Sequence, residues 1–122
     1  MSTTERGRRG EDLAVQALEA HGYVVIDRNW RCAAGEIDLV ARDSETWVFV
    51  EVKSRQGEDF GAPEEAVTAA KQGRLLQASL AYLVGHGLGD VQWRIDVVAL
   101  VLSPSGRVKR LSIYRDAVRA DG

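Results

Sequence analysis

EIDLVARDSETWVFVEVK, residues 36–53, decides the fold. EIDLVA (36–41) and WVFVEVK (47–53) are rich in β-branched and aromatic side chains, and the turn-forming run RDSET separates them, so they read as two hairpin-linked strands. In the second, Val48, Val50 and Val52 fall on one face and Trp47 and Phe49 on the other, which predicts a central strand covered by helices on both sides. On the Phe49 face the odd positions then change to Glu51 and Lys53, an acid and a base where a purely structural face would stay apolar. These two project together roughly 7 Å apart. The short turn brings Asp38 near Glu51 across the ladder.

Upstream, YVVIDRNW (23–30) is a further strand that turns through Ala33, Ala34 and Gly35 into the hairpin. Before it, Leu13, Ala14, Ala17, Leu18 and His21 recur at helical spacing, predicting a helix from about Thr4 to His21 with Gly22 as its stop. Gly7 and Gly10 weaken its first turns and permit a close approach by another chain or a phosphate. Downstream, SRQGEDFGA reads as a loop, and Pro63 fits the first turn of a helix running to about Val84, with Gly73, Leu76, Leu80 and Leu83 as its core stripe. WRIDVVALVL from Trp93 is a fourth, buried strand, and RVKRLSIY (107–114) alternates basic and apolar residues like a half-exposed edge strand. The order αβββαββ implies an α/β fold with a mixed β-sheet flanked by helices.

At 122 residues, 45% hydrophobic and 28% charged, the chain fits one domain over 1–122 with its core at about 4–116, large enough to fold without a metal or disulfide. Any bound metal is therefore expected to be functional. Cys32 is the only cysteine, which leaves no thiolate zinc cluster, and no run is apolar enough for a signal or a membrane span. The expected compartment is cytoplasmic, with no membrane partner. A net charge of -2 argues against a generally polybasic binder, although Arg6, Arg8 and Arg9 cluster near the start and Arg107, Lys109, Arg110, Arg115 and Arg119 near the end.

Asp38 and Glu51 as converging carboxylates would repel unless a divalent cation joined them, and an all-oxygen site suits Mg2+, with Mn2+ as a substitute. Lys53 beside them would stabilise negative charge at a phosphate or orient water. The plainer alternative is a salt bridge among the three. Glu36 shares a strand face with Asp38 but adjoins Gly35, where a solvated role serves as well. Asp96 interrupts an apolar strand and needs a partner, which an arginine from the first helix or from around Arg94 would supply as well as a substrate, with a structural ion pair the favoured reading. His21 and His86 have no ligand-spaced neighbours, and Trp30, Trp47 and Trp93 read as core.

GEIDLVARD followed by VFVEVKSR resembles the PD-(D/E)xK nuclease superfamily, with Asp38, Glu51 and Lys53 at the signature positions and Ile37 where the proline stands. GRRGEDLA, RNWRCAAGEIDLVARD, VFVEVKSR, the KQ of the second helix and RIDVVAL together resemble the bacterial YraN-like family over nearly the whole chain. The resemblance implies a restriction-endonuclease-like core and a metal-dependent endonuclease of DNA, branched or single-stranded, or of RNA. The alternative it leaves open is a non-catalytic nucleic-acid-binding or interaction module that keeps the fold. Similarity to archaeal Holliday-junction resolvases implies that Glu11 joins Asp38 and Glu51 at the metal. Arg8, Arg9, Arg55, Lys71 and Gln72 are the candidate nucleic-acid contacts, and a homodimer through the 107–114 edge strand is the further partner considered.

Overall fold

In a computed structural model that describes residues 2–56 and 67–119, the elements follow as α1 (Thr3–Ala20), β1 (Val24–Cys32), β2 (Gly35–Asp43), β3 (Thr46–Gln56), α2 (Ala69–Gly85), β4 (Trp93–Leu102) and β5 (Val108–Val118). The order αβββαββ is the expected one. The strands form one five-stranded sheet in sequential order. Only the β3–β4 pair is parallel, and α2 lies in the connection between them, as a parallel crossover requires.

Most strands run longer than their composition suggests, because the turns are minimal. Ala33 and Ala34 alone link β1 to β2, and Ser44, in the left-handed region at φ 55, lets two residues join β2 to β3. β3 continues through Ser54, Arg55 and Gln56, which the composition assigns to a loop. Ser2 caps α1 by accepting the Glu5 N–H at 3.1 Å. Gly10 lies where α1 meets β3: an added Cβ would stand 3.0 Å from the Ser54 side chain.

The second helix departs from expectation in two ways. Its cap is Thr68, whose hydroxyl accepts the Lys71 N–H at 3.3 Å, so the helix opens at Ala69 rather than at Pro63, which lies outside the described residues. Its buried face is Leu75, Ala78, Ser79, Tyr82 and Leu83, whereas Gly73 and Leu80 face solvent and Leu76 is half-buried. The rotation follows the aromatic payload: the Tyr82 ring packs edge-on against Trp30 at 5.1 Å and Phe49 at 5.5 Å, and Ser79 loses its polar penalty by donating to the Leu75 carbonyl at 2.7 Å.

The sheet separates two apolar layers. On one side α1 buries Ala14 and Leu18 against Leu39, Ala41, Val48, Val50, Val98 and Leu100; on the other α2 buries Leu75, Ala78 and Tyr82 against Val40, Phe49, Ile95 and Val97. β3 is thus covered twice, as its sequence requires. The three tryptophans are half-buried at the rim of the α2 layer. No described helix is long and apolar enough to cross a membrane.

Candidate active site

Asp38 owes its position to a defect in the sheet. The β2–β3 ladder runs from Asp43↔Thr46 to Leu39↔Val50 and stops there. One residue further, the Asp38 side chain takes over the acceptor role of the backbone, its Oδ2 accepting the Val52 N–H at 2.8 Å. On the other flank Asn29, left-handed at φ 54, falls between the pairs Arg28↔Leu39 and Trp30↔Ile37 and so opposes Asp38. Leu39 and Ile37, which an untwisted strand would place on one face, consequently lie in different apolar layers. β2 swivels about Asp38, turning its carboxyl toward β3 and opening the sheet there.

Glu51, on the α2 face of β3, shares a hydrogen bond with the Asp38 carboxyl. Burial first, then that contact and the Glu51 charge, push Asp38 up to about 8, and the Val52 N–H and the Lys53 ammonium only partly oppose them. Near neutrality the Asp38 carboxyl therefore favours its protonated form. A cleft of about 220 Å³ opens over the pair, walled by Gly35, Glu36, Lys53, Lys71, Arg74 and Leu75. The Lys71 ammonium lies against that of Lys53, and this contact and like charge, with burial and Arg74 adding to them against the pull of Glu51, lower the Lys71 pKa. Two ammonium groups and a guanidinium lining one cleft concentrate positive charge there.

Asp38, Glu51 and Lys53 are thus brought together. Glu36 lines the cleft but also pairs with Arg31 at 3.6 Å. Glu11 does not line it: α1 covers the opposite face, and the Glu11 carboxylate receives Asn29 at 3.1 Å and Arg28 at 3.5 Å. Among the described residues no group of three His, Cys, Asp or Glu side chains converges to hold an ion. A cation held by Asp38 and Glu51 would keep most of its shell in water or substrate oxygen, which suits magnesium.

Of the candidate nucleic-acid contacts, Lys71 is in the cleft and Gln72, next to it, lines a separate cavity. Arg55 stands two residues beyond Lys53 on the same face, in the row Arg55↔Val101↔Arg110 across the sheet. Arg8 is exposed on α1, and Arg9 donates to the Gly106 carbonyl at 3.2 Å, so neither approaches the carboxylate pair. Arg74 is the residue the sequence reading misses: it follows Lys71 by three on α2 and meets the cleft only because the helix buries the Leu75–Ala78–Tyr82 face.

The sequence profile of the uncharacterised protein family UPF0102 matches residues 10–100, which span α1 through most of β4 and include every residue of this cleft. The chain belongs to the UPF0102 family. A UPF0102 protein of Geobacter sulfurreducens is 52% identical over 99 residues, covering 80% of this chain and 77% of its own length. One from Syntrophus aciditrophicus is 45% identical over 111 residues, covering 91% of this chain and 86% of its own, and one from Beutenbergia cavernae is 48% identical over 103 residues, covering 84% and 87%. The YraN-like resemblance read from the blocks of sequence is this membership, and the matched residues reach from within α1 into β4. The matched residues therefore include the stretches that carry Asp38, Glu51, Lys53, Lys71 and Arg74.

Proposed function

We propose that the chain is a metal-dependent phosphodiester hydrolase acting on nucleic acid, with Asp38 and Glu51 holding Mg2+ or Mn2+. The observation that carries this reading is a pair of half-buried carboxyl groups from adjoining strands, Asp38 and Glu51, facing the ammonium groups of Lys53 and Lys71 across the same small cleft. Such a pair is poorly matched to water and well matched to a hard divalent cation. When bound, that cation supplies positive charge at the phosphate and acidifies coordinated water. Lys53 carries its charge beside the pair, where negative charge develops on the phosphate oxygens as the bond breaks. Lys71 and Arg74 hold the phosphate from the helix side, Arg74 by its planar fork and Lys71 as a point charge.

A single-turnover assay over single-stranded, branched and duplex substrates with magnesium or manganese tests this reading. Lys53→Met is expected to lower the cleavage rate by about a hundredfold or more while leaving metal and nucleic-acid binding close to the parent. Chelator should abolish cleavage. Equal rates for parent and Lys53→Met would remove the catalytic role. Binding without cleavage on the whole panel would favour the binding module instead.

A further inference from the structure

The strand register carries the site sideways across the sheet. Glu51 pairs with Val97 on β4, and Val97 pairs with Tyr114 on β5, so these residues form one row on the α2 face. Neighbouring strands lie 4.7–4.9 Å apart, which puts Tyr114 about 10 Å from Glu51 along that row. At the end of the row is a cavity of about 250 Å³ lined by Val67, Gln72, Val97, Tyr114, Ala117 and Val118. Its walls are aliphatic with one aromatic ring, and Tyr114 is 36% exposed although its neighbours Val97 and Val118 are buried. The single amide in the lining, Gln72, donates its NH2 to the Val67 carbonyl at 3.1 Å, which fixes the orientation of the group and leaves its oxygen with no partner among the described residues. Lys71 and Gln72 are consecutive in the first turn of α2, so one helical turn touches both the phosphate cleft and this cavity.

An apolar slot with an exposed phenol ring and an oriented carbonyl acceptor, the ring two strand spacings from a phosphate cleft, matches a nucleotide rather than a free metabolite. We infer that this cavity receives one unpaired nucleobase of the strand whose phosphate lies over Asp38 and Glu51, with Tyr114 as its stacking platform and the Gln72 oxygen accepting from a base amino group. The inference rests on the proposed nucleic-acid reading and narrows it: the substrate presents a splayed or single-stranded base beside the scissile phosphate. A base paired within a duplex cannot enter without being unstacked, so flaps, loops, junction branches and single strands are favoured over continuous duplex. Aromatic stacking tolerates every base, and the one acceptor adds a preference for bases that carry an amino group.

The test uses the full chain in chelator, with single-stranded DNA and RNA oligonucleotides in which 2-aminopurine is walked one position at a time. The parent is expected to quench the reporter at one position, marking the stacked base. Tyr114→Ala should lose that quenching and weaken single-strand binding about tenfold, Tyr114→Phe should keep both, and duplex binding should change little. Loss in the DNA or the RNA series supports the inference and names the sugar. Unchanged affinity and quenching in Tyr114→Ala, with the parent still cleaving, would overturn the base pocket and spare the hydrolase reading. Equal losses on duplex and single strand would mark the ring as structural and overturn it too. A parent that neither binds nor cleaves any of these substrates would overturn both readings.

Discussion

At the scale of single residues, the site is governed by one carboxyl group in the wrong solvent. Asp38 keeps its proton to about pH 8 in the folded chain, against 3.8 for the ordinary side chain. Between those values the folded state binds more protons than the unfolded state, so this group's contribution to stability is complete below pH 3.8 and is lost as pH rises toward 8. Asp43 works in the opposite direction, since Arg94 and Arg115 hold it below the usual carboxylate range. The expected outcome is therefore clearest as a difference. In chelator, the melting temperature of Asp38→Asn should rise relative to the parent as pH increases from about 4 to 8. Manganese should close the gap by stabilising the parent alone, releasing protons as it binds. Parallel melting curves for the two proteins across that range would count against the raised Asp38 pKa.

At the scale of elements, the contrast between β3 and α2 shows which parts of the molecule the sequence makes legible. A strand has a period of two, so a change from Phe49 to Glu51 to Lys53 fixes the face and spacing of the site residues without any coordinates. Asp38 follows because a short turn fixes register, although the swivel about Asn29 that aims its carboxyl has no sequence signal beyond an asparagine tolerant of the left-handed region. The α2 face is harder to read, because Leu76 and Leu80 compete with Leu75 and Tyr82 for the core, and the ring contacts of Tyr82 with Trp30 and Phe49 decide between them. A rotation of about one residue, 100° on a helix, is enough to hide Arg74 from the sequence and bring it to the cleft. The start of α2 is equally hard to read, because the Thr68 hydroxyl that caps it carries less sequence signal than a proline does. If Arg74 holds phosphate rather than the fold, Arg74→Ala should weaken nucleic-acid binding and reduce its salt dependence by about one counterion, with the saturated single-turnover rate near that of the parent. An unchanged salt slope in a titration over potassium chloride would show that Arg74 makes no phosphate contact.

At the scale of the whole molecule, the sheet keeps the carboxylate cleft and the buried Asp96 ion pair on opposite faces. On the α1 face a cleft of about 340 Å³, larger than the carboxylate cleft, is lined by His21, Tyr23, Asp43, Leu111, Ile113 and Arg115, yet its acids are already matched. Asp96 is fully buried beneath it and accepts Tyr23 at 2.8 Å, Arg94 at 3.0 Å and the Asp116 N–H at 2.9 Å, while Arg94 reaches on to Asp43 at 2.8 Å. This is the ion pair that an aspartate inside an apolar strand demands, and it joins the start of β1, the end of β2, β4 and β5. The site's contacts run instead through the Val52 N–H, Glu51 and Lys53, and the two networks have no partner in common. Removing the Asp96 carboxylate takes the acceptor from the Tyr23 hydroxyl and the Asp116 N–H and leaves Arg94 with Asp43 as its one acid among the described residues, so Asp96→Ala should destabilise the fold by roughly 3–5 kcal/mol. Manganese binding by the folded fraction should be unaltered, because the sheet lies between the two sets of groups and effects at sites without shared partners add. Denaturant melts paired with calorimetric titration below the variant's melting temperature check both halves. Loss of stability with parental manganese affinity is the expected result; a matching loss of affinity would mean that the Asp96 network also holds β3 in register beside Asp38.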